Sequence, residues 1–221
     1  MTVPSLTVVR VASSYETAGL AAYLERLLAL DDRAAVRLQA RGTALGVWSG
    51  PPFEVLALRP VALGSDLEVD ATVSAQRLLE QVHGAEMARG FALPPSVPGP
   101  AWAGLLPPRT GWEQLATVDT SVVAAAVADG VAEFRLLSEY AEEGSRDRST
   151  LQGYADQVWA RELLAGVPLR AAHAAEALGL LGYEGSTAAF SAGSWLRLAC
   201  PGGSVALRRP GADGLGLLSI L

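Results

Sequence analysis

Five residues have types and settings that could bind a ligand or a partner: Trp102, Arg109, Trp112, Arg170 and His173. Three belong to a stretch rich in proline, where Leu106-Pro-Pro-Arg-Thr-Gly-Trp112 holds Arg109 behind a stiff Pro-Pro pair and sets an indole three residues later. A guanidinium in a defined direction beside an indole suits stacking, or a pocket wall for an anionic or aromatic ligand. The structural alternative is that Trp112 anchors the loop while Arg109 pairs with an acidic residue of the same chain. Trp102 lies in the same segment. Arg170 and His173 sit three residues apart in a stretch of helical periodicity that opens at Pro168, with Glu176 one turn further on.

Covalent and metal chemistry have few candidates. His83 and His173 are the two histidines and Cys200 is the single cysteine, so an internal disulfide is excluded and a Cys200–His173 dyad is the one nucleophilic pairing to weigh. A cysteine beside a Pro-Gly-Gly turn more often serves as a small buried apolar residue. Asp66, Glu68 and Asp70 share one face of a strand by their period of two. Hard cations take such oxygen ligands, but alternation with Leu67, Val69 and Ala71 is also what any sheet with one wet face shows. The solvated reading is preferred, and neither a metal nor a cofactor is expected.

All 17 basic residues are arginine, against 23 acids and a net charge of -6. Without lysine there is no P-loop lysine, no kinase-type lysine and no Schiff base. Without asparagine there is no N-glycosylation acceptor. Residues 1–145 carry 10 Arg and 17 acids, residues 146–221 carry 7 Arg and 6, so only the second stretch could tolerate nucleic acid. Neither a signal-type start nor a spanning apolar stretch is read, and a cytoplasmic protein without membrane attachment is expected.

The elements that must position these residues follow from periodicity. Leu6 to Val11 suits a strand, and from Ser14 the spacing of Leu20, Tyr23, Leu24 and Leu27 predicts a helix. Val36, Leu38 and Ala40 then alternate with polar residues, Gly42 breaks the run, and Leu45 and Val47 resume it, which reads as a hairpin turning at Gly42. After Gly50-Pro51-Pro52, residues 53–63 and 67–73 read as two further strands, and Ser74 opens a helix ending near Gly90. Residues 91–118 are expected to be extended and pinned to the surface, because two tryptophans are costly to leave in water. From Thr120 the stripe Val123, Val127, Val131, Phe134 and Leu137 predicts a helix ending near Gly144. Helices over 150–164 and from Pro168 to Gly179 or Gly182 follow, then a hairpin of 194–199 with 204–209.

The expected class is α+β: a mostly antiparallel N-terminal sheet with flanking helices over 1–90, a Pro/Trp-rich connection over 91–118, and helices plus a C-terminal hairpin over 119–221. A weak boundary is placed near residue 145. The order of helices and hairpin is winged-helix-like, which would put Pro168 to Leu180 in the position of a recognition helix. Leu106-Pro-Pro-Arg-Thr-Gly-Trp112, Val167-Pro-Leu-Arg-Ala-Ala-His173 and Trp195-Leu-Arg-Leu198 with Gly203-Ser-Val-Ala-Leu-Arg208 together resemble segments of uncharacterised actinobacterial proteins of similar length. That resemblance implies no activity.

The functional expectation is a non-enzymatic protein-binding or regulatory protein. A mean hydropathy of +0.27 and the apolar end at residues 215–221 suggest more apolar surface than one copy can hide, hence a homodimer. The alternatives are an enzyme with a carboxylate and arginine pocket between the two parts, or a winged-helix-like DNA binder. Nucleic acid is the less favoured partner because the basic footprint is missing.

Overall fold

The computed structural model describes residues 7–85, 90–140, 148–182 and 184–209. The chain divides into two compact units, one running to Leu106 and taking in Leu178–Leu180, the other comprising Pro107–Ala177 and continuing from Leu181.

The first unit is organised by a long antiparallel hairpin of β2 (Ala35–Ser49) and β3 (Leu56–Ser74), which follows β1 (Val8–Arg10) and the helix α1 (Ser14–Leu30). In the first part of β2, Val36, Leu38 and Ala40 are buried; in the second part Leu45, Val47 and Ser49 are. Side chains alternate strictly along a strand, so an apolar set can move from even to odd positions only if the register slips by an odd number of residues. It does: pairing runs regularly to Gly42 with Leu67 and resumes at Ala44 with Ala62. Thr43 therefore stands against residues 63–66, and Gly42 takes a φ of +88° that favours glycine.

Two expectations change for that reason. The break at Gly42 is a bulge inside one strand, and the two strand candidates over 53–63 and 67–73 merge into the single β3. The turn lies instead at Gly50-Pro51-Pro52, where Phe53 N–H donates to Pro51 C=O at 2.7 Å.

Leu20, Tyr23, Leu24 and Leu27 of α1 are buried, and the Tyr23 hydroxyl shares a 2.7 Å hydrogen bond with Ser49 Oγ at the end of β2. The helix begins after Ser13, one residue from the expected cap. Helix α2 (Ala75–His83) starts where Ser74 Oγ accepts from Arg77 N–H, buries Leu78, Leu79 and Val82, and packs on α1. It ends at Gly84, earlier than expected. β4 (Gly90–Ala92) then pairs with β1, burying Phe91. Beyond it the Pro-rich chain is pinned as expected: Val97 N–H donates to Thr72 C=O at 2.9 Å, and the Arg37 guanidinium donates to Ala103 C=O within the 3-10 turn Ala101–Gly104.

The second unit opens with β5 (Glu113–Asp119) and α3 (Thr120–Tyr140). Asp119 Oδ1 accepts from Ser121 N–H at 2.8 Å as an N-cap bond, and hydrogen bonds from the Ser121 side chain first and its backbone N–H second hold the carboxyl below the usual range. Helix α4 (Arg148–Trp159) stops short of the expected end at Leu164, because β6 (Glu162–Leu164) turns back on β7 (Val167–Pro168) through Ala165 and Gly166, both at positive φ. Helix α5 (Leu169–Ala177) precedes β8 (Ser186–Ala192), β9 (Trp195–Cys200) and β10 (Gly203–Arg208).

The C-terminal hairpin is as expected, but the winged-helix-like order is not what the unit adopts. β5 and β8 join the hairpin in an antiparallel order β10-β9-β8-β5, so it is part of a broad sheet and not a free wing. The Ala-rich Ser-Thr-Ala-Ala-Phe-Ser-Ala of β8 hides its strand character, since alanine favours helix when read alone. The expected helix end near Gly144, the boundary near 145 and the apolar residues 215–221 lie outside the described residues. No helix among the described residues is long and apolar enough to cross a membrane.

The three helices of this unit pack closely at Gly130. A Cβ there would stand 2.9 Å from Leu169 Cδ2 and 3.0 Å from the Trp159 ring. Gly153 in α4 has nothing within 4 Å. Gly130→Ala should therefore lower unfolding stability by about 1–2 kcal/mol despite the better helix propensity of alanine. Gly153→Ala should raise stability by up to ~1 kcal/mol, and urea denaturation of both variants compares the two effects.

Candidate functional site

Strand register builds the most distinctive surface of the second unit. β9 alternates, burying Leu196 and Leu198 and turning Trp195 and Arg197 to the other face. Phe190 of β8 stands opposite Arg197, and Arg208 of β10 opposite Trp195. The Arg197 guanidinium lies 4.2 Å from the Trp112 ring centroid and 4.7 Å from that of Phe190, so one cation is within cation–π reach of two aromatic rings. Arg208 lies 5.2 Å from the Trp195 ring centroid. Burial lowers the pKa of Arg197 from its ordinary value, and the ring quadrupoles offset part of that cost while the group stays charged.

Trp112 is oriented by its own loop, its indole N–H donating to Pro108 C=O at 2.8 Å. The Pro-Pro pair thus supplies an acceptor for the indole, and the cation over that indole is Arg197. Arg109 is exposed on the loop. Arg197 is the residue that sequence reasoning missed. Its signal was present in Trp195-Leu-Arg-Leu198, where alternation places an arginine and a tryptophan on one face.

His173 is half-buried in α5 and stacks on Trp159, centroids 4.1 Å apart and planes 13° from parallel; Phe134 of α3 lies 6.4 Å from the same indole. One aromatic cluster therefore joins α3, α4 and α5, braced by the exposed ion pair of Glu133 and Arg161 at 2.6 Å. Burial lowers the pKa of His173. Arg170, on the same helix, is half-buried.

The Cys200–His173 pairing has no chemical support. Burial pushes the Cys200 thiol up to about 12, and its hydrogen-bond partner is the Thr187 side chain. A nucleophilic cysteine requires an accessible thiolate near neutral pH.

In the first unit, Trp102 lies against Gly50, where a Cβ would stand 2.8 Å from the indole. It forms one wall of an open groove with Arg33, Pro98 and Pro100. Of the strand carboxylates, Asp70 is held by Arg37 at 2.8 Å and by Gln39 at 3.0 Å, the partners that a wet sheet face provides. Among the described residues no group of three or more His, Cys, Asp or Glu side chains could hold a metal ion.

With the geometry in hand, comparison with known proteins places the chain by fold. Residues 5–104 match the model of one domain of unknown function (DUF8010), and residues 107–212 that of another (DUF8185). No curated protein matches the sequence. Among solved structures, DNA polymerase III subunit beta from Pseudomonas aeruginosa aligns with a TM-score of 0.52 at 13% identity, over 91% of this chain and 63% of that one. The same subunit from Borrelia burgdorferi, solved with a natural product, gives 0.53 at 9% identity over 87% and 62%. The Helicobacter pylori beta clamp in complex with 3,4-difluorobenzamide gives 0.50 at 13% identity over 91% and 64%. The fold is similar to that of beta clamps. At these identities the likeness concerns the fold alone, and the chain spans less than two thirds of the length of those subunits. A clamp-like fold replaces the winged-helix-like expectation.

Two outcomes follow from the buried groups. Cys200 should react with iodoacetamide at pH 8 roughly a thousandfold more slowly in the folded protein than in urea, where its pKa returns to about 8.5. Because the folded pKa of His173 lies below its unfolded value of about 6.5, the unfolded chain binds the proton first, and stability should fall as pH drops through that value. His173→Phe, which retains a ring to stack on Trp159, should flatten the pH dependence of the urea midpoint between pH 8 and 5.

Proposed function

We propose that this protein is a non-enzymatic protein-binding protein, a clamp-like scaffold that acts through its surfaces and assembles as a homodimer. The observation that carries the reading is the similarity in fold to proteins that are themselves subunits of a larger polymerase assembly. The expected partner sites are Trp102, Arg109, Trp112, Arg170 and His173, to which the geometry adds Arg197, Trp195 and Arg208. Tryptophan and arginine are the residue types that most often dominate binding energy at protein interfaces. The pre-stacked guanidinium of Arg197 would lose little side-chain freedom on docking.

Charge argues for a protein partner over nucleic acid. The asymmetry seen on cutting at residue 145 disappears when the compact units are counted. The first unit carries 8 Arg against 10 acids and the second 9 Arg against 13. Neither has the excess of cations that binding along a nucleic-acid backbone requires.

The test is cross-linked co-purification of the tagged full-length chain from its native cell, comparing wild type with Trp112→Ala/Arg197→Ala. Specific partners should be recovered with the first and lost with the second, while light scattering at high micromolar concentration should give twice the monomer mass. Equal recovery with both proteins would remove the Trp112–Arg197 surface from the proposal. Duplex DNA binding with a steep salt dependence would overturn the protein-binding reading, and a monomer at that concentration would overturn the homodimer.

A further inference from the structure

The Arg197 guanidinium is a cation with two rings beside it and no anion. Its Nε is buried without a hydrogen-bond partner, and no carboxylate pairs with the group among the described residues. The rings of Trp112 and Phe190 attract the charge, but they offer no lone pair to the N–H donors of the fork. Buried polar groups in folded proteins nearly always have partners, and leaving a donor without one is costly. The residue is half-buried, so it stays within reach of a ligand that could supply the missing acceptor.

Strand register explains why the chain does not supply it. Phe190, Arg197 and Ala206 stand opposite one another across β8, β9 and β10; Ala192, Trp195 and Arg208 form the next row, and Ala188, Ala199 and Ser204 the row on the other side. None of these residues is acidic. On β5, Gln114 extends the row of Phe190, and its amide donates to Thr117 Oγ1 at 2.7 Å. Elsewhere the protein gives a guanidinium a carboxylate, as in Arg37 with Asp70 and Arg161 with Glu133. The face around Arg197 is instead apolar and cationic, the complement of a ligand that carries both a carboxylate and apolar surface.

We propose that the Trp112–Arg197 surface recognises an acidic peptide segment, whose Glu or Asp side chain pairs through two oxygens with Arg197 while a neighbouring apolar side chain lies against the rings. A guanidinium fork matches the two oxygens of one carboxylate, and indole and phenyl rings suit an apolar neighbour. A nucleic-acid strand is gripped by a run of cations, and the three strand rows carry two. The inference rests on reading this surface as a protein-binding site and names what the partner must present to it.

Fluorescence polarisation with the full-length protein tests the assignment. The probes are a labelled short peptide of alternating glutamate and leucine, the same peptide with glutamine for glutamate, and oligothymidylate as a polyanion without carboxylates. The glutamate peptide should bind saturably and at least about tenfold more tightly than the glutamine peptide, a preference read on the wild-type protein alone. Arg197→Gln should abolish the preference, and Arg197→Lys, which keeps a charge but not the fork, should lose most of it. Arg33→Gln, at an exposed arginine of the first unit, controls for general charge loss and should bind as wild type does. Equal affinity for the two peptides, no saturable binding at millimolar peptide, or a preference unchanged in Arg197→Gln would overturn the proposal, as would oligothymidylate binding more tightly and displacing the peptide. If Trp112→Ala/Arg197→Ala loses its cellular partners while wild type shows no glutamate preference, the carboxylate is refuted and the protein-binding surface stands. A glutamate preference that depends on Arg197, with partners recovered equally from both proteins, has the opposite meaning: the carboxylate site stands and its part in partner binding falls.

Discussion

The slip in register between β2 and β3 is the constraint on which the first unit rests. The strands run for 15 and 19 residues, and the apolar positions of β2 change parity midway while Ala57, Val61, Leu63 and Val73 of β3 keep theirs. A hairpin without the bulge would turn Leu45 and Val47 to water, or else Val36 and Leu38. By letting four residues of β3 face one of β2, the chain keeps all of these on the side that α1 and α2 cover. The same irregularity lets the chain before α1 run alongside β3, where Val11 bridges Leu63 and Ala12 N–H donates to Ala62 C=O. Tyr23 then joins α1 to the turn end of β2 through a buried hydroxyl pair.

Much of this was legible because local pattern and final environment agree. The stripe of α1, the Ser74 cap of α2, the turn at Gly50-Pro51-Pro52 and the hairpin across Pro201 and Gly202 each follow from periods and turn residues that tertiary contacts leave unaltered. What could not be read is phase. A break in alternation looks the same whether the chain turns back or slips past its partner, so Gly42 reads as a turn. β5 and β8 were missed for another reason: Glu-Gln-Leu-Ala-Thr-Val-Asp and an Ala-rich run have little strand preference of their own, and pairing alone holds them extended.

The candidate site was half legible. An indole beside a rigid Pro-Pro was visible as an anchor for a guanidinium, but the nearest arginine in sequence was not the one that arrives. Arg197 reaches Trp112 from a strand 85 positions away, and only the register of β8 with β9 sets Phe190 beside it. The absence of lysine matters here: a guanidinium is weakly hydrated and can approach aromatic rings where an ammonium would keep more of its water. The same planarity accounts for the bidentate grip of Arg37 on Asp70, at 2.8 and 2.9 Å.

The close approaches at Gly19, Gly50 and Gly130 bear on how freely this sequence can drift. Alanine is a single base change from glycine and is already abundant in the chain, so these positions lie one mutational step from the commonest exchange available. At each of them the added methyl meets a side chain at 3.0 Å or less: an arginine, a tryptophan, or a leucine with a tryptophan behind it. Relatives that keep the fold should therefore hold these three glycines while exchanging Gly104 and Gly153, which face open space, without penalty.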